Sequence, residues 1–198
     1  MSADHRTIGV YQGRATEYAA RFDKPEDSRL DGFLAAMPAG STFLDYGCGP
    51  GRAACHAAAA GMDAHAFDAA PAMVALASAC PGVTAWNATF DAFDADAAYG
   101  GIWASFSLLH APRAAMPGHL SAIHRALVPE GRLMLGLKLG SGEARDTIGR
   151  LYTYYSEAEI TDLLVQAGFA VESVETGRED GFDGTPSDWI ILMAQRPA

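Results

Sequence analysis

The sequence predicts an α/β fold in which helices cover both faces of a mostly parallel β-sheet. Three observations support this prediction. Apolar runs of strand length alternate with stretches of helical periodicity along most of the chain. A glycine-rich turn joins the first predicted strand to a helix. The chain also has 198 residues, 49% hydrophobic and 19% charged, which suits one globular domain spanning residues 1–198.

Two helices are predicted before the first strand. The first lies within residues 1–24, where one helical stripe carries Tyr11, Ala15, Tyr18 and Phe22. The second has its apolar stripe at Leu30, Phe33, Leu34 and Met37. The sequence Pro38-Ala39-Gly40 then ends this helix, because proline and glycine interrupt helical backbone.

Strands and helices alternate over the rest of the chain. The predicted strands are Thr42–Leu44, Met62–Phe67, Val83–Trp86, Ile102–Ser107, Arg132–Leu137, Phe169–Val174 and Trp189–Ala194. The helices between them are predicted at Arg52–Ala60, Pro71–Cys80, around Leu120–Leu127 and around Ile160–Ala167. No helical pattern separates the last two strands, so we expect them to form a hairpin with one strand antiparallel to the rest.

The glycine-rich turn Gly47-Cys48-Gly49-Pro50-Gly51 follows the first strand and its final Asp45. Glycines at such a turn let the backbone bend sharply and let a ligand approach the main chain. Asp68 ends the second strand, where a carboxylate can accept hydrogen bonds from both hydroxyls of a ribose. These residues predict a bound nucleoside. The alternative is that Asp68 caps the helix near Pro71 and that Asp45 only ends a strand.

Several segments together resemble a known family. LDYGCGPGR, followed by AFDAAPAMVALA, is similar to the first two motifs of class I S-adenosylmethionine-dependent methyltransferases. FSLLHAPR and IHRALVPEGRLMLGLK resemble that family's fourth-strand and fifth-strand segments, and TYYSEAEITDLLVQAGF resembles its last helix. The resemblance runs from about Thr42 to Phe169. It implies a Rossmann-like three-layer sandwich whose seven-stranded sheet has the order 3-2-1-4-5-7-6, with one antiparallel strand.

The resemblance also implies a cofactor and its contacts. The cofactor would be S-adenosyl-L-methionine, leaving S-adenosyl-L-homocysteine as the product. The residues expected to bind it are Tyr11, Tyr18, Asp45, Gly47, Cys48, Gly49, Asp68, Ala69, Met73, Thr89, Phe90 and Ser105. Within this set Asp45 would hold the methionine ammonium, Asp68 the ribose, and Ala69 and Met73 the adenine. Whether Thr89, Phe90 or Asp91 contacts the adenine edge is left open, since the family often has an acidic residue there.

Other side chains are candidates for the acceptor side. His110 follows the fourth strand and is expected either to orient or deprotonate an acceptor, or to bond a backbone carbonyl in a structural role. The N-terminal helix is expected either to fold over the cofactor as a lid, as in relatives, or to pack as an ordinary amphipathic helix. The glycines of the segment after the fifth strand allow mobility, and its position over the strand ends suits acceptor binding. Its Lys138 or Arg150 would bind an anionic acceptor or form part of a solvated loop network.

Charge and cysteine content limit the class of partner. A net charge of −10 and a pI near 4.9 disfavour nucleic acid. No apolar run approaches the ~20 residues that span a membrane, and the N-terminus lacks a secretory signal. The three cysteines, Cys48, Cys55 and Cys80, suit separate buried thiols in a cytoplasmic protein, and no metal site is expected.

The prediction is therefore a methyltransferase that acts on a small-molecule acceptor by in-line methyl transfer. Such an enzyme needs no catalytic dyad, because the methyl donor is already activated. Two alternatives remain at this point. One is a non-catalytic module that binds S-adenosylmethionine. The other is an NAD(P)-dependent oxidoreductase, which the G-x-G-x-G spacing disfavours because that class has G-x-G-x-x-G.

Overall fold

The computed structural model describes residues 3–22 and 28–198. The main sheet contains β1 (Thr42–Tyr46), β2 (Asp63–Asp68), β3 (Val83–Asn87), β4 (Tyr99–Ser105), β5 (Leu127–Lys138), β8 (Ala170–Asp180) and β9 (Pro186–Gln195). A separate hairpin is formed by β6 (Glu143–Arg145) and β7 (Leu151–Thr153). The helices are α1 (His5–Gly13), α2 (Ala15–Arg21), α3 (Ser28–Ala35), α4 (Arg52–Ala59), α5 (Pro71–Ser78), α6 (Met116–Ala126) and α7 (Glu157–Gln166). Over the described ranges, none of them is long and apolar enough to cross a membrane.

The seven strands of the main sheet lie in the order β3-β2-β1-β4-β5-β9-β8. β1 to β5 pair in parallel, while β9 runs antiparallel to both β5 and β8. The predicted order and the predicted terminal hairpin are therefore confirmed. The parallel pairing of β1 to β5 requires crossover connections, because a parallel neighbour can be reached only by a connection that crosses a face of the sheet.

Two hydrophobic cores lie on opposite faces of the sheet, since successive strand residues point to opposite sides. In β1, Leu44 packs into the larger core and its neighbour Phe43 into the other. The larger core is closed by apolar side chains of α6 and α7, which are Leu120, Ile123, Ile160 and Leu164. The second core is closed by side chains of α3 and α4, which are Leu30, Phe33, Leu34 and Ala57. Both faces of the central strands are thus buried under apolar side chains.

The N-terminal segment differs from the single helix predicted for it. It forms α1 and α2, which are separated at Arg14, where the backbone has φ −126° and ψ 22°. The preceding Gly13 has low helix propensity, which makes a break at this point inexpensive. Asp4 starts α1 by accepting a hydrogen bond from the Thr7 N–H at 2.8 Å. Positions 1, 2, 23 and 24 of the predicted helix lie outside the described residues.

The segment after β5 is more ordered than its glycines suggest. It forms the β6–β7 hairpin, with Glu143 opposite Thr153 and Arg145 opposite Leu151. This hairpin is absent from the elements predicted from the sequence. Leu127, expected at the end of a helix, instead begins β5.

The cysteines also depart from expectation. Cys55 in α4 and Cys80 just beyond α5 are joined in a disulfide, so the prediction of separate thiols is wrong for this pair. Cys48 is a free thiol, and only 8% of its surface is exposed.

Candidate cofactor and active site

A cavity of about 270 Å³ opens at the carboxyl ends of β1, β2 and β4. In open α/β sheets this edge is where ligands bind, because the loops that leave the strands diverge there. Residues of α1 and α2 form its cover. The predicted site residues that line it are Tyr11, Tyr18, Asp45, Gly47, Cys48, Gly49, Asp68, Ala69, Thr89, Phe90, Ser105 and His110.

Met73 is the one predicted site residue that does not line the cavity. Its side chain is 1% exposed and packs with Ala15 and Ala70 behind the cavity wall. On the opposite side, Thr89 and Phe90 line the cavity, whereas Asp91 is exposed and does not. Of the three residues considered for the adenine edge, Thr89 and Phe90 therefore border the cavity.

The glycine turn packs so closely that side chains would not fit. Gly47 has φ 72°, and a Cβ there would lie 2.5 Å from the Cβ of Ser107. Gly51 has φ 80°, and a Cβ there would lie 2.5 Å from the Cβ of Ala77. Both positions need glycine for the left-handed backbone and for the close approach. The turn consequently presents bare main chain to the cavity.

A buried carboxylate, Asp45, and a half-buried one, Asp68, flank this turn. Asp45 is 4% exposed, and its Oδ2 accepts a hydrogen bond from the Ala54 N–H at 3.2 Å, at the start of α4. Asp68 accepts the Gly49 N–H at 2.9 Å on Oδ2 and the Ala70 N–H at 2.8 Å on Oδ1. Burial raises the pKa of the Asp68 carboxyl, against the lowering effect of these N–H groups.

The contacts of Asp68 bear on both interpretations made from the sequence. Its bond to the Ala70 N–H lies in the turn before α5, and α5 has no side-chain cap, so the expectation that Asp68 caps this helix is wrong. Its bond to Gly49 joins the end of the second strand to the glycine turn. A carboxylate has about four acceptor positions. The Asp68 carboxylate can therefore accept further hydrogen bonds from the hydroxyls of a sugar.

A chain of polar side chains crosses the site near the end of β4. His110 Nδ1 lies 2.6 Å from the Leu151 carbonyl, and Nε2 lies 2.8 Å from the Tyr11 hydroxyl. Arg150 Nη1 donates to the Tyr11 oxygen at 2.6 Å, and Arg150 Nε donates to Asp146 Oδ2 at 2.8 Å. A carbonyl only accepts, so Nδ1 carries the proton and Nε2 accepts from Tyr11.

This chain holds His110 neutral. Part of the side chain borders the cavity, but both ring nitrogens face protein groups. Burial lowers the pKa of His110 to about 3, and the positive charge of Arg150 contributes in the same direction. The ring bonds a backbone carbonyl, which is the geometry expected of a structural histidine.

The cover of the cavity is fastened from two sides. Asp4 forms an ion pair with Arg145 at 2.7 Å, and Thr7 Oγ1 accepts the Leu151 N–H at 2.8 Å. The Arg145 guanidinium holds the pKa of the Asp4 carboxyl well below its usual range. On the other side, Gln12 accepts the N–H of Ala72 in α5 at 2.8 Å. Helix α1 is thus held between the β6–β7 hairpin and α5.

The two cations proposed for an anionic acceptor occupy different surroundings. Arg150 is 1% exposed and is neutralised by Asp146, so it belongs to a buried ion pair rather than to a solvated loop. Lys138 Nζ lies 4.2 Å from the centroid of the Tyr152 ring, and burial lowers its pKa. Neither side chain lines the cavity.

Some lining residues were not identified from the sequence. They include Thr7, Ile8, Phe22, Leu30, Arg52 and Phe106. Phe22 shares the helical stripe of Tyr11 and Tyr18, so its pattern was a usable signal. Phe106 has φ 53°, which no local sequence pattern announces for a phenylalanine. Thr7 and Ile8 reach the cavity only because α1 folds back over it.

Comparisons with known proteins agree with this site. Residues 16–174 match the family described as a methyltransferase domain. A search of curated proteins finds no match. The chain is similar in fold to the 1,6-didemethyltoxoflavin-N1-methyltransferase of Burkholderia thailandensis, solved with 1,6-didemethyltoxoflavin and S-adenosylhomocysteine. The identity is 20% and the TM-score 0.72, over 100% of this chain and 92% of that one.

Two further solved structures show the same fold. An S-adenosylmethionine-dependent methyltransferase from Mesorhizobium loti has 20% identity and a TM-score of 0.67, over 86% of this chain and 98% of its own. A TehB-like S-adenosylmethionine-dependent methyltransferase from Corynebacterium glutamicum has 19% identity and a TM-score of 0.68, over 98% of this chain and 100% of its own. With the family match spanning most of its length, the chain belongs to the class I S-adenosylmethionine-dependent methyltransferases, and it is an enzyme whose cofactor is S-adenosylmethionine.

Proposed function

We propose that this enzyme transfers the methyl group of S-adenosylmethionine to a small-molecule acceptor by in-line displacement. The observation that carries the proposal is the joined pair of motifs at the cavity, in which Asp68 binds the Gly49 N–H across the glycine turn. That bond holds the Asp68 carboxylate, which is proposed to bind the ribose, beside bare main chain. The oxidoreductase alternative is set aside, because the family match identifies a methyltransferase domain.

The cavity fits the chemical groups of the cofactor. S-adenosylmethionine supplies a methyl group on a sulfonium, which is activated for displacement without further help. Asp45 suits the methionine ammonium, and Asp68 suits the ribose hydroxyls, because each is a carboxylate that borders the cavity beside the glycine turn. Thr89 and Phe90 suit the adenine. The Phe90 ring stacks on the Tyr46 ring, with 5.1 Å between the ring centroids and 10° between the ring planes.

Further contacts are proposed for the remaining lining residues. The main chain of Gly47, Cys48 and Gly49 lies along the cavity, and Ser105 closes it at the end of β4. Burial raises the pKa of the Cys48 thiol, so we expect this thiol to remain protonated and to act as a small apolar surface. Tyr11 and Tyr18 stand edge to face at 5.3 Å and form an aromatic wall that excludes water.

His110 is proposed to position Tyr11 rather than to remove a proton from the acceptor. Its Nε2 lone pair is already used by the Tyr11 hydroxyl, and its lowered pKa makes it a weak base near neutral pH. By fixing the Tyr11 ring, His110 fixes the wall of the cavity. The acceptor is then expected to supply its own lone pair, and the enzyme to align it and exclude water.

A small acceptor is supported by the size and charge of the site. The same cavity of about 270 Å³ must admit the acceptor beneath α1, and a volume of this size suits a small molecule better than a polymer. The net charge of −10 also opposes binding of nucleic acid. The 1,6-didemethyltoxoflavin-N1-methyltransferase of similar fold was solved with 1,6-didemethyltoxoflavin bound, which is consistent with a small-molecule acceptor.

Isotope labelling tests the proposed function. The enzyme is incubated with methyl-labelled S-adenosylmethionine and a whole-cell extract that contains small molecules, protein and nucleic acid, and the labelled product is identified by mass spectrometry. We expect label in a small molecule, and we expect Asp68→Asn to abolish it while weakening cofactor binding. Asp162→Asn, an exposed carboxylate on α7, is the matched control and should leave labelling unchanged. Label found only in protein or nucleic acid would contradict the small-molecule assignment.

A further inference from the structure

Cys55 and Cys80 link the two segments that carry the cofactor motifs. Cys55 lies in α4, which begins directly after the glycine turn, and Cys80 lies just beyond α5, which begins shortly after Asp68. Their Cα atoms are 5.8 Å apart, inside the usual range for a disulfide. Both residues are partly exposed and are therefore accessible to small reagents.

The contact between α4 and α5 is otherwise made by small side chains. The cluster of buried apolar side chains between the two segments consists of Cys48, Ala54, Ala66 and Ala77. Alanine side chains bury little apolar surface, so each such contact contributes little to holding the helices together. Among the described residues, the disulfide is the one covalent cross-link between side chains of these two motif-bearing segments.

The same contact leads directly into the cavity. Gly51 rests against Ala77, where a Cβ would come within 2.5 Å. Gly49, two positions earlier, donates its N–H to Asp68. A change in the spacing of α4 and α5 therefore alters the alignment of Asp68 with the glycine turn.

We propose that Cys55 and Cys80 are a reversible thiol–disulfide site whose oxidation state sets the affinity of the cofactor cavity. The disulfide form holds the two motifs in register and binds the cofactor more tightly. The dithiol form keeps the pairing of β1 with β2 but holds α4 against α5 only through small side chains, and it binds the cofactor less tightly. The gain in affinity comes from preorganisation, because less freedom is lost on binding.

The reagent that the site takes is a low-molecular-weight disulfide. The thiolate of one cysteine attacks that disulfide, forms a mixed disulfide and releases one small thiolate. The second cysteine then attacks the mixed disulfide and releases the second small thiolate. Two protein thiols are oxidised and one small disulfide is reduced to two thiols. Cys48 does not enter this exchange, because it is buried and its thiol pKa is raised.

Binding of S-adenosylhomocysteine to the full chain tests the proposal. The protein is prepared with glutathione disulfide or with tris(2-carboxyethyl)phosphine, and intact mass after alkylation counts its free thiols. Calorimetry should then show that the oxidised form binds S-adenosylhomocysteine at least about fivefold more tightly than the reduced form. A factor of about five is the lower end of typical coupling between two sites. The Cys55→Ala/Cys80→Ala double variant should match the reduced enzyme under both conditions, with circular dichroism confirming that it is folded.

Thermodynamic reciprocity supplies a second and independent measurement. If the disulfide tightens binding by some factor, S-adenosylhomocysteine must favour the disulfide by the same factor. The equilibrium of the cysteine pair in glutathione buffers should therefore shift toward the disulfide when this product is added. Equal affinity in the two oxidation states, or failure of the pair to oxidise, would overturn the proposal. Because both readouts use product binding, they are independent of whether an acceptor is found.

Discussion

His110 and Tyr11 lie 99 positions apart in the sequence, yet each completes the hydrogen bonding of the other. The Tyr11 oxygen accepts a hydrogen bond from Arg150, and the Tyr11 O–H donates one to His110 Nε2, so the phenol is both an acceptor and a donor. Such a network is favourable only when every member is satisfied, because a buried polar atom without a partner costs free energy. The residues should therefore respond as a unit rather than singly.

Protonation of His110 should destabilise the folded enzyme in mild acid. The unfolded chain takes up the proton near the ordinary value of 6.5, whereas the folded pKa is about 3. The stabilising contribution is complete above pH 6.5 and is lost as the pH falls toward 3, by at most about 1.4 kcal/mol per pH unit. Urea unfolding of wild type and His110→Gln at several pH values measures it. Identical pH slopes in the two proteins would contradict the neutral, bonded state of His110.

Tyr11→Phe tests the hydroxyl without removing the ring. The variant leaves His110 Nε2 and Arg150 Nη1 without their partner, which should lower the free energy of unfolding by about 1–3 kcal/mol. The aromatic wall beside Tyr18 is retained, so affinity for S-adenosylhomocysteine should fall less than in Tyr11→Ala. Chemical unfolding and calorimetry give the two quantities. Tyr154→Phe is the control, since no hydrogen bond of that hydroxyl is present among the described residues.

At the scale of elements, helix α1 and the β6–β7 hairpin behave as one cover. Helix α1 meets the hairpin through Asp4, Thr7 and Tyr11, whose partners are Arg145, Leu151 and Arg150. The sequence predicts the amphipathic stripe of the first helical segment but not the hairpin. Its strands are three residues each, too short for a period of two to stand out among glycines.

Loss of the Asp4–Arg145 ion pair should speed release of the cofactor product. Asp4→Asn keeps an oxygen to cap α1 but removes the charge that Arg145 binds. A partly exposed ion pair contributes about 0.2–1 kcal/mol, so dissociation of S-adenosylhomocysteine should accelerate by up to about fivefold. Stopped-flow displacement measures the rate. Asp188→Asn, which loses the exposed pair with Arg178, is the control and should release the product at the wild-type rate.

At the scale of the whole molecule, the sheet was predictable because alternating periodicities leave few allowed topologies. The site was predictable where function depends on backbone, as at Gly47 and Gly49, or on a strand end, as at Asp68. It was not predictable where distant segments meet, as for Arg150 and Tyr11. Met73 illustrates the same limit, since its helix is as predicted while its side chain turns to the far side of the cavity wall.

Reduction of the Cys55–Cys80 disulfide should lower global stability as well as affinity. The cysteines are 25 positions apart, so closing that loop removes unfolded-state entropy worth about 3 kcal/mol at 25 °C. Urea unfolding of the oxidised and reduced wild type measures the difference. The Cys55→Ala/Cys80→Ala variant should show none between the same two conditions; a difference there would place the effect elsewhere.

The position of β9 in the sheet has a consequence for how the enzyme is made. β8 reaches the sheet only through β9, which lies between it and β5 although it comes later in the chain. A chain emerging from the ribosome therefore exposes β8 before its native partner exists. This edge of the sheet can form only after β9 has been synthesised. A chain truncated within β9 would therefore lose the pairing of β8 as well as that of β9.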